Sequence, residues 1–238
     1  MPFEYMIHTG DTELPPVSPP EAPPEQPTEM PGEPAPETMR CELVSWEQFR
    51  TLARQLALRV RSSGFRPDMI VAIGRGGYMP ARLLSDYLDI YNLSGFKIEH
   101  YRRAQKLAET RVRYPLSANV KGLKLLLVDD VSDAGDTLEV AVSHLHERGP
   151  PAEIRTAVLH HKTVSSFVPD FYAAEVTEWR WLIYPWAILE DVSGFIRELG
   201  LVDASPKRMQ AEIEAGYGVR ISSEILSDAN VLARGNGG

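Results

Sequence analysis

Three carboxylates, Asp129, Asp130 and Asp133, stand directly after an unbroken apolar run, Leu125-Leu126-Leu127-Val128. Directly after them comes a turn of small residues, Ala134-Gly135-Asp136-Thr137. Ionised carboxylates only accept hydrogen bonds, so the pair Asp129-Asp130 suits the hydroxyls of a sugar. A loop that opens a helix offers unpaired backbone N–H groups, and these favour phosphate. One short segment thus places hydroxyl acceptors beside a cradle for an anion, and a sugar phosphate needs both.

A second small-residue turn, Gly74-Arg75-Gly76-Gly77, also follows an apolar run and precedes a helical pattern. Glycine lets the backbone approach an anion closely or take conformations closed to other residues. The spacing is not GxGxxG, so a dinucleotide site has little support. Adjacent strand residues face opposite ways, so His160-His161 does not make a metal site by itself. Lys162, next to them, puts a cation at the end of a third apolar run.

These residues need strands to end at them and helices to start after them. Ser45 can cap a helix, Gln48 fits the capping-box position, and apolar residues recur at Phe49, Leu52, Ala53, Leu56 and Val60 until Gly64. Strands are expected over 69–73, 97–101, 124–128, 154–159 and 181–184, and helices over 80–88 and 137–148. Residues 102–113 are polar and basic with little apolar periodicity, which reads as a loop. The βαβ alternation implies an α/β fold, a parallel sheet covered by helices, and ligands of such sheets bind at the carboxyl ends of strands. Weaker helical segments lie at 206–215 and 222–232.

The strand-DDxxDxGDT-helix segment resembles the motif that binds phosphoribosyl pyrophosphate (PRPP) in type I phosphoribosyltransferases. Within that class it is most similar to the hypoxanthine/xanthine-guanine branch, especially its archaeal and bacterial members. The resemblance covers residues 41–190 and implies a mainly parallel twisted sheet flanked by helices, with a small hood that binds the base. It implies that Gly74–Gly77 is the pyrophosphate loop. There Arg75, Gly76 and Gly77 would meet the diphosphate, and a non-proline cis peptide would fall at Arg75-Gly76. Asp129 and Asp130 would accept the ribose hydroxyls and orient Mg²⁺ indirectly, through water or PRPP. Asp133 would take the proton of the purine imidazole, and Ala134, Gly135, Asp136 and Thr137 would hold the 5′-phosphate, with the Asp136 side chain turned away from it. Lys162 resembles the lysine that contacts the 6-oxo group. Trp181 would stack on the purine, with Trp179 as the other candidate, and the Leu182 backbone would read the ring edge. Such stacking is worth on the order of 1–3 kcal/mol per base. Residues 102–113 would form a mobile loop closing over PRPP. The activity implied is Mg²⁺-dependent transfer of the phosphoribosyl group from PRPP to hypoxanthine, guanine or xanthine, in purine salvage. A homodimer or homotetramer is implied as well. Two other readings stay open: a non-catalytic PRPP or nucleotide sensor of the same fold, and a transferase for another base.

Composition bounds the alternatives. Residues 1–38 hold 11 of the 19 prolines, eight acids and no Lys or Arg, so they read as a disordered Pro/Glu-rich tail. The remaining residues balance 25 acids against 25 bases, which leaves no excess of positive charge for nucleic acid. The expected organisation is therefore the tail 1–38, a phosphoribosyltransferase domain 39–200 and a helical C-terminal extension 201–238. Met39 is an alternative start. One cysteine excludes an intrachain disulfide, and no apolar run approaches the roughly 20 residues of a membrane span. No signal-peptide pattern is present. The expectation is a cytoplasmic protein that binds small molecules and neither membrane nor nucleic acid.

Overall fold

A computed structural model of the chain describes residues 39–103 and 106–235, with the side chains of 100–103 and 106–109 left aside. The Pro/Glu-rich tail lies outside the described residues.

The central sheet has six strands in the order β4-β3-β2-β5-β6-β7. They are β2 (Met69–Gly74), β3 (Leu93–Arg103), β4 (Lys106–Tyr114), β5 (Lys124–Ser132), β6 (Glu153–Lys162) and β7 (Phe171–Val176). All neighbours run parallel except β3 and β4, which are antiparallel. Every residue of β2 is buried, as are Leu125–Asp129 of β5, because a parallel strand with both faces covered carries no polar side. Helix α1 (Trp46–Ser62) begins at the capping box formed by Ser45 and Gln48. It packs with α2 (Tyr78–Leu88) on one face through Leu56, Val60 and Leu84, against Leu126 and Val128. Helix α3 (Asp136–Glu147) covers the other face through Leu138, Ala141 and Leu145, against Leu125 and Leu127.

Chain order reverses between β2 and β5. From β2 the sheet continues to β3 on one side, and from β5 to β6 on the other. A crevice opens at such a switch point, beyond the carboxyl ends of the strands. Both sequence motifs sit there.

A second, two-stranded sheet pairs β1 (Cys41–Leu43) with β8 (Trp181–Ile183) in parallel, Cys41 opposite Trp181 and Glu42 opposite Leu182. Beyond it, α4 (Ile188–Glu198), α5 (Pro206–Tyr217) and α6 (Ser223–Gly235) close a third core with Ile183. The C-terminal helices thus share a core with α4 and β8. Among the described residues no helix is long and apolar enough to cross a membrane.

Several expectations shift. The basic segment expected to be a loop supplies the end of β3 and all of β4 but its last residue, with Ile98 opposite Val112 and Lys97 opposite Tyr114. β4 is an edge strand, and charge protects an edge from unwanted pairing; its apolar period is diluted to Val112 and Tyr114. β5 and β6 each run further than the apolar residues do, so Asp129, Asp130 and Lys162 are strand residues. β7 and α4 have no counterpart in the expected elements.

Candidate active site

Four chain segments line a cleft of about 720 Å³ at the switch point: Gly74–Gly76, Asp129–Leu138, Lys162, and the stretch from Trp181 to Asp191. Of the thirteen residues singled out in the sequence, twelve line it. Gly77 does not: its N–H is spent on the Ile73 carbonyl at 2.9 Å, closing the turn into α2. The cis peptide falls one bond earlier than expected, at Gly74-Arg75.

The turn after β2 and the acids of β5 fit against each other. A Cβ on Gly76 would stand 2.4 Å from Asp130 Oδ2, so only glycine leaves room for that carboxylate. Asp129 is 8% exposed, and its Oδ1 accepts the Asp130 N–H at 2.9 Å. Burial first, and then the neighbouring Asp130 charge, hold the Asp129 carboxyl well above the usual carboxylate range. Burial also raises Asp130, opposed by the Val131 N–H and by the Trp186 indole turned toward it. That Trp186 Nε1 has no partner within hydrogen-bonding geometry among the described residues.

A buried relay ties Asp130 to the hood. The Tyr184 hydroxyl donates to the Asp130 carbonyl at 3.0 Å and lies 2.8 Å from His160 Nδ1. A hydroxyl has one proton, so His160 Nδ1 must carry the hydrogen in the second bond. Burial lowers the His160 pKa, which favours the neutral ring. Tyr184 and Trp186 stack at 4.9 Å, and Trp186 meets Phe49 edge-on. Tyr184 belongs to the core cluster under α1 and α2, and Trp186 packs against it. His161 points the other way, toward Tyr172.

The turn 134–137 is braced from behind. Gly135 caps α3 at φ +106°, and a Cβ there would stand 2.7 Å from the Phe167 nitrogen. Ser166 donates from both N and Oγ to the Ala134 carbonyl, at 3.0 and 2.9 Å, and Ser132 meets Ser165 at 2.8 Å. The loop 163–170 that does this carries no motif. The Asp136 carboxylate accepts from the Thr110 hydroxyl of β4, which ties the turn to the neighbouring strand.

Lys162 is 2% exposed, and its Nζ lies 2.9 Å from Asp133 Oδ1. Trp181 lines the cleft and Trp179 does not. Leu182 is buried beside Trp181. Two acids of α4 complete the wall. Glu190 pairs with Arg75 across the cleft mouth. Asp191 is raised to about 6, chiefly by burial, against the Trp181 N–H that faces it. Neither acid is marked in the sequence, because α4 follows the aromatic run without a break and only its Ile188, Val192, Phe195, Ile196 spacing betrays a helix.

Residues 41–190 match the phosphoribosyl transferase domain family. The chain is 31% identical over 149 residues to a xanthine-guanine phosphoribosyltransferase of Cereibacter sphaeroides, covering 60% of this chain and 84% of that one. It is 29% identical to the enzyme of the same description from Idiomarina loihiensis over 143 residues, again 60% and 84%. Among solved structures, a purine phosphoribosyltransferase from Pyrococcus horikoshii is 33% identical with a TM-score of 0.55, covering 62% of this chain and 94% of that one. With its two loops at the switch point and its hood, the chain belongs to the phosphoribosyl transferase domain family. It is a phosphoribosyltransferase, with the fold of the type I enzymes.

Proposed function

We propose that this enzyme transfers the phosphoribosyl group of PRPP to a 6-oxopurine, forming the nucleoside monophosphate and diphosphate. The observation that carries this reading is the Lys162–Asp133 pair, held in the cleft beside Trp181. An ammonium only donates, so Lys162 complements a 6-oxo oxygen and opposes the 6-amino group of adenine. Asp133 has its second oxygen left to accept an imidazole proton. The xanthine-guanine and purine relatives favour the same choice of base.

In this reading the 5′-phosphate lies on the N–H groups of 134–137, and the ribose hydroxyls donate to Asp129 and Asp130. Arg75 exchanges Glu190 for the departing diphosphate. The bond from ribose C1 to diphosphate oxygen breaks and its electrons leave with diphosphate. The purine nitrogen lone pair forms the new bond to C1, and the imidazole proton passes to Asp133. Charge develops as in glycoside transfer, and fixed donors stabilise it without reorganising. No covalent nucleophile is required.

The donor set fits Mg²⁺. Asp129 and Asp130 are oxygen ligands whose buried charges a cation would relieve. In this reading the two acids would hold the ion indirectly, through water or PRPP. When bound, it would neutralise diphosphate charge.

The test is incubation of the purified chain with PRPP and Mg²⁺ and, separately, hypoxanthine, guanine, xanthine, adenine and uracil. Nucleotide is expected from one or more of the first three. Turnover confined to adenine or uracil, or turnover of none, contradicts the reading.

A further inference from the structure

Trp179 is an aromatic residue beside the cleft to which the reaction scheme gives no task. It lies in the link 177–180 between β7 and β8, outside the cleft lining and 45% exposed. Its indole Nε1 nevertheless donates to Asp133 Oδ1 at 3.3 Å, the same oxygen that Lys162 Nζ meets at 2.9 Å. Lys162 Nζ in turn stands 4.5 Å from the centre of the Trp179 ring, and 6.0 Å from that of Trp181. Three side chains from three elements thus close one triangle.

The placement is built rather than incidental. Lys162 ends β6 opposite Val176, the last residue of β7, so the link to β8 must pass over the ammonium. On its far side the link is anchored. Arg180 bonds Glu42 at 3.1 Å, and the Trp181 N–H donates to the Arg40 carbonyl at 2.8 Å. A buried ammonium needs compensation on more than one side, and the Trp179 ring face supplies one such side.

Two donors on Oδ1 fix how the Asp133 carboxylate is turned. Among the described residues Oδ2 has no hydrogen-bond partner, and it is the oxygen left to receive a proton. We propose that Trp179 is a positioning residue, which with Lys162 holds Asp133 by one oxygen so that the other accepts the imidazole proton of the purine. This rests on the assignment of Asp133 as proton acceptor made above. It gives Trp179 a different role from Trp181: its N–H acts on the acid, and its ring covers the lysine away from the base.

Trp179→Phe keeps a ring over Lys162 and removes only the N–H. With saturating PRPP and purine, it is expected to lower kcat roughly ten-fold, as loss of a charge-assisted hydrogen bond does, with KM for PRPP unchanged. Direct evidence for the contact comes from the indole N–H signals of ¹⁵N-labelled protein. The chain has four tryptophans, and the Trp179 signal is the one absent from the Phe variant. Asp133→Ala should move that signal more than those of Trp46, Trp181 and Trp186. An unmoved signal, or a Trp179→Phe enzyme with undiminished kcat, overturns the proposal. So does a loss confined to KM for the base, which would make Trp179 a stacker. If Asp133→Ala keeps full kcat while the signal moves, the contact stands and the proton-acceptor role of Asp133 is what fails.

Discussion

Asp191 shows how the cleft holds its carboxylates at a cost. Burial lifts it from the ordinary 3.8 to about 6. Between those values the folded chain holds a proton that the unfolded chain has released, so this group's contribution to stability is full below about pH 4, falls as pH rises toward 6 and is flat above. Asp191→Asn removes that loss. At about pH 7.5 it should raise stability on the order of 1 kcal/mol, allowing for partial exposure, or roughly 2–4 °C in Tm. Thermal unfolding at that pH and near pH 4 checks this, with the gain disappearing in acid. A variant less stable than the parent at both values would mean that Asp191 makes a hydrogen bond worth more than its ionisation costs. Functional sites commonly give up stability in this way.

At the scale of elements, the turn 134–137, proposed as the phosphate cradle, depends on a loop far away in sequence. Gly135→Ala puts a Cβ at positive φ and within 2.7 Å of the Phe167 nitrogen, so either the helix start or the 163–170 brace must move. The expected result is a loss of about 1–3 kcal/mol in unfolding free energy and a raised KM for PRPP with KM for the base little changed. An unaltered KM for PRPP would show that the cradle does not bind phosphate. What could be read from the sequence divides along the same line. The acids, the glycine turns and the cradle are contiguous, so chain order alone displays them. The Ser166 and Ser132 contacts, the Thr110–Asp136 bond and the Arg75–Glu190 pair join residues 26 or more apart, and no local pattern carries them. The strands run on past the point where polar chemistry begins. Asp129, Asp130 and Lys162 continue ladders that hydrophobicity would end at Val128 and Leu159. The Trp179 contact is a third case, since sequence alone could not separate it from Trp181.

At the scale of the whole molecule, three cores divide the labour. Two cover the faces of the main sheet, and the third joins the hood strand β8 to the C-terminal helices. We expect residues 1–38 to be dispensable for the reaction, because every residue assigned to the site lies beyond them. Their removal should leave kcat and both KM values within roughly two-fold; a collapse of activity would show that the tail takes part. The reading of the molecule as a 6-oxopurine transferase comes down to Lys162, and its replacement tests that most directly. Initial rates with PRPP and either guanine or adenine should strongly favour guanine in the parent enzyme. Lys162→Met should shrink that ratio by on the order of ten-fold or more, since the donor to the 6-oxo group is gone. A parent enzyme that prefers adenine, or a ratio that Lys162→Met leaves unchanged, would contradict the assignment of the base site.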